Sequence, residues 1–577
     1  MAVCVRGNQL LRMRILACLL LSALLGACSA SSTATRAGGA SPPIPGHARF
    51  DLLIRNGRIL DGTGSPWYLG DVGITGDRIV AIGRLPRASA RDTIDATGLV
   101  VSPGWIDMLG HSEYPQLRDG RALSKITQGV TSEITGEVTS VVPVNARTLR
   151  ETGFARTNTV DWTDLNGYFA RLERSGSAIN LGTFVTAGSV RRYVLGDANR
   201  APTAAELEQM KGLVADAMQQ GAMGLSTGMI YAPATYASTE EIVALAKVAA
   251  QHGGGYASHI RSEGGKLIEA IEEAISIGEQ AGTWVQVHHI KASGKANWGK
   301  MPQAVATIEA ARARGVDVTA DQYPYRASGT GLDNIIPAWA HAGGTDSLMA
   351  RLMDPASRKR LEDDIAPNGR EELIGESSGG PTGVMLAGFR SDSLKKYAGM
   401  FLSDVARARG QRPIDALFTL LIADSTATGA IYFSMSEDDI EYAMKQPWVM
   451  VGMDAGARAM DSSVVADHPH PRAFGTFPRI LCRYSRERNV ITMPDAIRKF
   501  TSLPAARMGL SDRGVLKTGM KADITVFDPN SVCDRATFEK PVQAAVGINH
   551  VIVNGVPVLR NGQVTGARPG KALRHVP

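Results

Sequence analysis

Two histidines of the chain each close a short apolar run that is typical of a β-strand. The first run is GYASH, which ends at His259, and the second is WVQVHH, which ends at His289. About one helix of sequence separates them, so the stretch predicts a βαβ unit with an imidazole at the carboxyl end of each strand. A single histidine is more often structural than a ligand, but two at equivalent strand ends indicate a site for a zinc-type cation.

Asp454 closes a third apolar run, WVMVGMD. A strand of this composition cannot easily bury an unpaired carboxylate. Facing two metal-binding histidines, Asp454 would orient a water molecule, take its proton and pass that proton to a leaving amine. The alternative is that Asp454 caps the N-terminus of a helix, because Ala-Gly follows it and Asp is a favoured cap.

Eight short apolar runs occupy the middle of the chain, and helical patterns separate many of them. Ser238 and Glu241 have the spacing of a capping box at the start of one such helix. Strands that alternate with helices predict an α/β fold, a TIM-type (β/α)8 barrel with its chemistry at the carboxyl ends of the strands. The predicted strands are Leu99–Asp107, Val130–Gly136, Gly182–Ala187, Ala222–Thr227, Gly255–Ile260, Trp284–Ile290, Val316–Asp321 and Trp448–Asp454.

The two ends of the chain share a different pattern. Asn-Gly, Asp-Gly and Thr-Gly dipeptides separate alternating apolar runs there, which is typical of β-hairpins. We therefore predict that residues 49–100 and 511–568 form one small β domain, and that residues 101–510 form the barrel. Residues 327–447 are too many for one βα connection, and their helical patches predict an inserted subdomain over the barrel mouth.

The N-terminal segment has the pattern of an export signal. Arginines precede an apolar run that ends at Cys28 and is too short to span a membrane comfortably. The sequence LGAC, residues 25–28, resembles a bacterial lipobox, so we predict a lipoprotein signal peptide over residues 1–27 and lipidation of Cys28. Residues 28–48 then form a flexible tether, and the protein faces the periplasm from a lipid anchor in the cell envelope. Ordinary secretory cleavage is the alternative.

The composition excludes several classes of function. The 577 residues, 44% of them hydrophobic and 20% charged, are typical of a globular protein with more than one domain. The net charge is +6, and without the three arginines of the signal segment it is about +3, too little to indicate a nucleic-acid partner. Of the five cysteines, only Cys482 and Cys533 lie in the predicted folded body. They are far apart in sequence, so we expect no disulfide framework and no CxxC zinc site.

A series of motifs follows in order between about Asp51 and Gly562. They are PGWIDM, QGVTSEITGE, GLSTGMIYAP, YASHIRSEG, VHHIKASGK, NWGK, DQYPY, VGMD, HPRAFGTFPR, TSLPAARMGL and RGVLKTGMKADITVFDP. Together they resemble one known family, the N-acyl-D-amino-acid deacylases (D-aminoacylases) of the amidohydrolase superfamily.

The resemblance implies a metal-dependent (β/α)8 hydrolase barrel with a small β domain built from both chain ends. It implies hydrolysis of the N-acyl bond of a D-amino acid. It places His259 and His289 on a tightly bound zinc ion, and it makes Asp454 the acid and base and a potential ligand of a second metal.

The same resemblance implies residues that hold the substrate. Lys291 and Tyr323 become candidates for binding its carboxylate, and Arg261 is nearby in HIRSE. Lys291 lies two residues past His289 and therefore on the same face of a strand, although a solvated loop lysine is the alternative. Tyr231 is a candidate for lining the acyl pocket. Arg472 and Arg479, after the last strand, could anchor a lid or a substrate, but a packing role is the better interpretation for both.

The chain departs from the family at two ligand positions. The HxH motif of the first strand is Leu109-Gly110-His111 here, so one ligand is missing while His111 still points inward. The family's bridging cysteine falls at Val138, and we hypothesise that the adjacent Glu137 supplies an oxygen ligand instead. A carboxylate fits Zn²⁺ and also admits Mn²⁺ or Co²⁺. We expect one tightly bound zinc ion.

The predicted function is metal-dependent deacylation of N-acyl-D-amino acids to a carboxylate and a free D-amino acid. A dipeptidase or a cyclic-amide hydrolase of the same superfamily is one alternative. A degenerate, non-catalytic lipoprotein that binds acylated ligands is another, because function depends on the site and not on the fold. The expected partner is a small acylated amino acid, with no nucleic acid and no membrane contact except the anchor. The sequence does not give the acyl group, the side chain or the oligomeric state.

Overall fold

A computed structural model describes residues 49–151, 159–368, 380–461 and 467–576. The predicted signal peptide, the tether and Cys28 lie outside the described residues. Within those residues, no helix has both the length and the apolar character that crossing a bilayer requires.

Both ends of the described chain build one nine-stranded sheet. Ile524–Phe527 pairs antiparallel with Val100–Pro103, so that Val526 faces Val101 and the two chain ends join at the centre of the sheet. Apolar side chains from both ends, such as Ile54 and Ile552, form its buried face. The strands are Arg49–Ile59, Tyr68–Thr75, Arg78–Gly83, Ser89–Asp95, Val100–Pro103, Ile524–Phe527, Ile548–Val553, Val556–Arg560 and Gln563–Val564.

Eight parallel segments form the (β/α)8 barrel, and each of the eight predicted strands overlaps one of them. In barrel order they are Trp105–Asp107, Val130–Thr135, Asn180–Thr183 with Val185–Thr186, Gly224–Gly228, Gly255–His259, Val285–Val287, Val318–Gln322 and Val449–Val451. The amide of Met108 donates to the carbonyl of Val451 at 3.1 Å, which closes the last strand onto the first. These strands are buried along their length because parallel strands in a barrel are covered on both faces, and they carry polar as well as apolar side chains.

The prediction for the first strand was too long. The run Leu99–Asp107 contains two strands, and its first half, Val100–Pro103, belongs to the small β domain. Only Trp105–Asp107 enters the barrel. Periodicity cannot separate two buried strands that follow one another directly, because both are continuously apolar.

The helices of the barrel cover its outside. Ser238 accepts a hydrogen bond from the amide of Glu241, as the capping-box spacing predicts, but the Glu241 carboxylate binds the buried guanidinium of Arg191. Leu267 and Ile271 bury the predicted apolar face of the next helix. The helices are Pro115–Arg118, Leu123–Ile126, Ala146–Glu151, Leu165–Ser175, Ala187–Leu195, Ala204–Gln219, Thr239–Gln251, Leu267–Ala281, Met301–Ala313, Arg472–Arg479, Met493–Phe500 and Ser502–Arg507, with a π-helical segment at Ile480–Glu487.

An insertion between the last two barrel strands has its own apolar core, with Leu348, Phe418 and Tyr432 among its members. It contains a three-stranded antiparallel sheet and a set of helices. The strands are Ser328–Gly331, Val384–Gly388 and Gly429–Tyr432, and the helices are Ala338–His341, Gly344–Met353, Pro355–Asn368, Leu402–Ala408, Pro413–Ala423 and Glu437–Met444. Its first strand reaches the barrel mouth, where Thr330 bonds the hydroxyl of Tyr231 at 3.1 Å.

The expectation of no disulfide is wrong. Cys482 and Cys533 form a disulfide bond, with 4.9 Å between their Cα atoms. Cys482 lies in the π-helical segment of the barrel, and Cys533 follows the β-domain strand Ile524–Phe527. The fold places the C-terminal segment that contains Cys533 against the barrel helix that contains Cys482. The separation of 51 residues in sequence could not predict that contact.

Candidate metal centre and substrate cavity

A buried carboxylate lies between the two strand-end histidines. Oε1 of Glu137 is 2.9 Å from Nδ1 of His259 and 2.7 Å from Nε2 of His289. The two imidazole rings are nearly perpendicular, with centroids 4.4 Å apart. All three side chains are 5% exposed or less, so the group forms a compact cradle of two nitrogens and one oxygen.

The turn after the second barrel strand places Glu137 in this cradle. Gly136 has a φ of +89°, and a Cβ there would lie 2.7 Å from the carbonyl oxygen of Phe184, so the close approach requires glycine. The amide of Gly136 donates to Oε1 of Glu113 at 2.9 Å. Ser226 donates to the carbonyl of Glu137 at 3.2 Å. These bonds tie the loop to the neighbouring strands and fix the direction of the carboxylate.

Two of the predicted site residues have left-handed backbones. The φ angle is 34° at His289 and 51° at Asp454, in a region of backbone conformation that residues other than glycine rarely adopt. The buried Asp321 holds the first of them, because its Oδ1 accepts from the amide of His289 at 2.9 Å. The carbonyl of Leu109 accepts from the amide of Asp454 at 2.7 Å. Strained backbones that neighbours hold in this way are common at functional sites.

His111 and Asp454 form a second group on the other side of the same carboxylate. Nε2 of His111 lies 3.2 Å from Oε2 of Glu137 and 3.0 Å from Oδ1 of Asp454. The second oxygen of Asp454 pairs with the guanidinium of Arg472 at 2.7 Å. Glu137 therefore joins two sets of potential ligands, and the second set already contains a fixed cation.

The charges around the carboxylates keep both of them ionised. Burial raises the pKa of Glu137, but the positive His289 ring and hydrogen bonds from His111 and His259 outweigh it and hold that pKa well below its ordinary value. For Asp454, burial is likewise outweighed by Arg472 and His111, and the pKa falls to about 2. A metal ligand must be deprotonated, so the two ionised carboxylates are in the form that binds a cation, and a bound cation would replace the proton on His289.

The donor set of the cradle fits a divalent metal. Ligand atoms of Glu137, His259 and His289 all lie within 4.8 Å of one another, and so do those of His111, Glu137 and Asp454. Imidazole nitrogen and carboxylate oxygen are the donors that Zn²⁺ binds in catalytic sites of three protein ligands. His289 also has the supporting contact typical of a metal-binding histidine, since its Nδ1 lies 3.0 Å from Oε1 of Glu263.

A cavity of about 250 Å³ opens beside the cradle and contains most of the predicted substrate residues. Lys291, Tyr323 and Tyr231 all line it. Nζ of Lys291 contacts Nδ1 of His289 at 2.7 Å and forms an ion pair with Glu263. The hydroxyl of Tyr323 is buried and has no hydrogen-bond partner in the described part of the chain. Burial raises its pKa well above the usual value, so it stays a proton donor.

Arg261 lies outside this cavity. Its guanidinium forms two 2.8 Å hydrogen bonds with the carboxylate of Glu273 and bonds the carbonyls of Thr235 and Ala237. It fastens two barrel segments together. Arg479 has a similar role, because it binds Asp534 at 3.0 Å, in agreement with the packing interpretation.

Two residues of the cavity were not among the predicted site residues. Glu263 connects Lys291 with His289, and Arg472 pairs with Asp454 and lies over the ring of Tyr323, 4.6 Å from its centroid. The signal for Glu263 was its place in YASHIRSEG, four residues past His259. Arg472 follows a loop after the last strand, and nothing in its sequence spacing indicates that its side chain returns to the barrel axis.

A second, outer chamber of about 500 Å³ continues from the cavity. His111, Gly329, Thr330, Asp454 and Arg472 line both spaces. The insertion and the loop after the last barrel strand supply most of the other walls, which carry the charged side chains of Arg390, Arg458 and Asp467. The site is thus a cleft with a metal cradle at its inner end.

Comparison with known proteins identifies relatives along nearly the whole chain. The model of a family described as "Amidohydrolase family" matches residues 92–351 and 452–559. A D-aminoacylase from Alcaligenes xylosoxydans xylosoxydans is 34% identical over 532 residues, which cover 91% of this chain and 97% of that protein.

Comparison with solved structures finds relatives of the same kind. N-acyl-D-glutamate deacylase from Bordetella bronchiseptica, in complex with zinc and a phosphonate that mimics the tetrahedral intermediate, has a TM-score of 0.77 at 33% identity and covers 92% of this chain and 100% of that chain. A D-aminoacylase described by its binuclear metal centre, one-metal activation and second-metal attenuation has a TM-score of 0.76 at 34% identity, covering 91% of this chain and 100% of that chain. The donor set and these neighbours support a metal ion at the cradle.

Proposed function

The chain belongs to the amidohydrolase family, and from this premise we propose that it hydrolyses N-acyl-D-amino acids to a carboxylate and a free D-amino acid. One observation carries the proposal: the metal cradle of Glu137, His259 and His289 lies in one cavity with the carboxylate of Asp454 and two cations. Relatives of this chain act on N-acylated D-amino acids, as the names D-aminoacylase and N-acyl-D-glutamate deacylase state.

The metal of the cradle is zinc in this proposal, with one ion held by Glu137, His259 and His289. When bound, such a cation polarises an amide carbonyl and makes a water molecule more acidic. The mixed nitrogen and oxygen donors support zinc and also admit Mn²⁺ or Co²⁺. One ion rather than two is supported by Leu109, which cannot coordinate, and by the pairing of Asp454 with Arg472.

Asp454 is the proton-transfer group. Its Oδ1 faces Nε2 of His111 at 3.0 Å, while Arg472 holds Oδ2 at 2.7 Å, so the direction of the carboxylate is fixed from both sides. Oδ1 accepts the proton of the attacking water and then delivers it to the nitrogen of the departing amino acid. A carboxylate with a pKa of about 2 in this environment is ionised and ready to accept.

The cations and the tyrosine of the cavity orient the substrate. Lys291 and Arg472 present positive charge to the α-carboxylate of an N-acyl-amino acid, which pairs with guanidinium in a forked arrangement. Tyr323, whose buried hydroxyl has no partner among the described residues, donates a hydrogen bond to the oxygen that becomes negative in the transition state. Binding at both ends of the amide fixes it for attack.

A substrate panel tests the proposal. Purified protein loaded with zinc is incubated with N-acetyl-D-amino acids, the matching L-enantiomers, D-containing dipeptides and hydantoins, and release of free amine is measured. We expect turnover of the acyl-D-amino acids and slow or no turnover of the others. Preferential opening of hydantoins, or cleavage of dipeptides alone, would reassign the activity to the alternatives. No hydrolysis of any compound by metal-loaded protein would favour a non-catalytic binding protein.

Export and lipid anchoring are a second part of the proposal. The lipobox-like sequence ending at Cys28 supports lipidation, and the disulfide of Cys482 and Cys533 supports folding in an oxidising compartment such as the periplasm. Expression in a bacterial host followed by membrane fractionation tests it. We expect the protein in the membrane fraction with a lipidated Cys28 as its first residue, and we expect Cys28→Ser to release it. A soluble wild-type protein with an intact N-terminus would refute the anchor.

A further inference from the structure

The outer chamber carries more positive than negative charge. Its charged walls are Arg390, Arg458 and Arg472 against Asp454 and Asp467. Arg472 and Asp454 neutralise one another at 2.7 Å. That leaves two guanidinium groups and one carboxylate around a space of about 500 Å³, directly beside the site of hydrolysis.

Arg458 is the less satisfied of the two cations. In the described part of the chain its guanidinium has one ion-pair contact, with Asp467 at 3.8 Å, which is longer than a hydrogen bond. The Arg458 side chain is 40% exposed, and desolvation of its covered part lowers the pKa of the guanidinium. Asp467 raises that pKa, and the neighbouring Arg118 and Arg472 lower it. Positive groups gathered in this way favour a bound anion between them, because an added negative charge relieves their repulsion.

The backbone that presents Arg458 is held firmly. Its amide donates to Oγ of Ser124 at 3.0 Å, and the amide of Ala457 donates to Oγ of Ser112 at 2.7 Å. Arg390, on the insertion side, is fixed through Asp424, whose carbonyl accepts from its guanidinium at 3.1 Å. The backbone at Arg458 and the guanidinium of Arg390 are therefore held in place beside the chamber, which lowers the cost of ordering them around a ligand.

We propose that the outer chamber is an anion subsite in which Arg458, assisted by Arg390, binds a second carboxylate of the substrate. This inference rests on the proposed deacylase function and names its substrate class: N-acyl-D-amino acids with two carboxylates. The second carboxylate has two sources of the same chemistry, an acidic side chain of the amino acid or a dicarboxylic acyl group. Guanidinium binds either one through two parallel hydrogen bonds.

Two matched substrate pairs test the subsite and separate its sources. N-acetyl-D-glutamate and N-acetyl-D-glutamine differ only in the charge of the side chain, and N-succinyl-D-alanine and N-succinamoyl-D-alanine differ only in the charge of the acyl arm. We expect kcat/KM of the charged member to exceed that of the neutral member by about tenfold or more in one pair, chiefly through KM. The pair that shows the preference identifies the arm that enters the chamber.

Substitution of the arginine connects that preference with the chamber. In Arg458→Met we expect the charged-to-neutral ratio of kcat/KM to fall to about one, and in Arg458→Lys we expect an intermediate ratio because the charge remains. Arg390→Met lowers the ratio by a smaller factor. Arg488 is the matched control, because its side chain is 42% exposed, against 40% for Arg458, and lies outside both cavities. Arg488→Met should therefore keep the wild-type ratio of kcat/KM between the charged and neutral substrates.

The outcomes separate the subsite from the activity on which it rests. If the metal-loaded wild-type protein hydrolyses none of the four compounds, the proposed function fails. If it hydrolyses them with equal kcat/KM within each pair, or if the preference survives in Arg458→Met, the subsite is overturned while the function stands. Added salt provides an independent measurement with the wild-type protein, because it should raise KM of the charged member and leave that of the neutral member nearly constant. Equal salt dependence of both members would also contradict the subsite.

Discussion

Glu137 presents one oxygen to each of two groups, and the groups differ in what they can hold. On one side, His259 and His289 approach Oε1 within 2.9 Å, both almost completely buried at the ends of neighbouring strands. On the other side, Oε2 faces His111, whose side chain is 35% exposed, next to an Asp454 that Arg472 already neutralises. A single carboxylate thus connects a candidate cradle for a metal cation with the proposed site of proton transfer.

The buried charges next to the first barrel strand, below His111, explain why the group of His111 and Asp454 differs from the metal cradle. Gly110 has no side chain, and a Cβ there would lie 1.7 Å from Oε1 of Glu133. The Glu133 carboxylate uses this space and lies 3.2 Å from the buried ammonium of Lys125, which also binds Asp107 at 2.6 Å. Charges next to the first strand are therefore balanced by fixed side chains, while in the described part of the chain Glu137 pairs with histidines and with no lysine or arginine.

The largest effect should follow from removal of the shared carboxylate. Glu137→Ala takes away the one oxygen that contacts both strand-end histidines, so we expect metal content to fall close to zero and kcat/KM to fall by about three orders of magnitude or more. Elemental analysis after gel filtration and hydrolysis of an N-acetyl-D-amino acid measure the two quantities. Full metal occupancy in folded Glu137→Ala would show that the cradle has been assigned to the wrong residue.

Asp454→Asn should separate the effect of proton transfer by the His111–Asp454 group from the effect of metal binding by the cradle. The amide keeps the shape of the side chain but cannot accept a proton, so we expect kcat to fall by about 10² to 10⁴-fold with KM nearly unchanged. Metal content should remain that of the wild-type protein, since Asp454 does not touch the cradle in this structure. Near-normal turnover at normal metal content would remove Asp454 from the proton-transfer role, whereas loss of metal would make it a ligand.

Titration with zinc tests whether the cradle binds metal more tightly than the group of His111 and Asp454. Calorimetry of metal-free protein should give one tight binding event per chain, and excess zinc should add at most a weak one, because the second group has lost a ligand at Leu109 and contains Arg472. Two tight equivalents of similar affinity would contradict this asymmetry. Glu137→Ala, titrated in parallel, should lose the tight event and provide the control.

Glu263→Gln should have a moderate effect. The carboxylate orients His289 through Nδ1 and holds Lys291, and removal of such an outer contact typically lowers metal affinity or activity by about 10 to 100-fold. Competition with a zinc chelator and steady-state kinetics measure both. The matched substitution Glu273→Gln breaks the pair with Arg261 outside the cavity and should leave zinc affinity unchanged. Equal effects of the two changes would mean that Glu263 acts only through stability.

The smallest effect on activity should come from the disulfide. Cys482→Ser with Cys533→Ser removes a crosslink across 51 residues, which typically contributes about 2 to 4 kcal/mol to the free energy of unfolding. We expect a lower midpoint of denaturant unfolding and a kcat/KM within about twofold of the wild-type value, because the bond is remote from both sides of Glu137. A large loss of metal content in the folded double variant would mean that metal binding by the cradle depends on this distant disulfide bond.

Much of the fold and the centre of the site could be predicted from the sequence, and the reason is geometric. A barrel places every strand end at one face, so an apolar run that closes with His259, His289 or Asp454 already locates its side chain. Arg261 shows the limit of this rule. It lies two residues past His259, as Lys291 lies two past His289, but the two strands end at His259 and Val287. Both side chains are therefore beyond their strands, where alternation no longer decides which of them enters the cavity.

The rest depended on contacts between distant segments. Arg472 reaches the cavity from a helix that follows a long loop, and Glu263 lies in the cavity because Lys291 and His289 attract its charge there. The pairing of Cys482 with Cys533 depends on how the C-terminal segment returns along the barrel. Local pattern gives no indication of Arg472 or of the disulfide, since each is decided by where two separate elements meet, and for Glu263 it offers only the place four residues past His259.

The left-handed backbones at His289 and Asp454 have a consequence for the evolution of this protein. Each such conformation costs roughly 1 to 3 kcal/mol that glycine would not incur. Glycine at either position would relieve this strain, but it would also remove the proposed metal ligand His289 or the proposed proton acceptor Asp454. The strain is therefore retained where the proposed chemistry depends on the side chain, and a more stable form of this protein requires substitutions elsewhere.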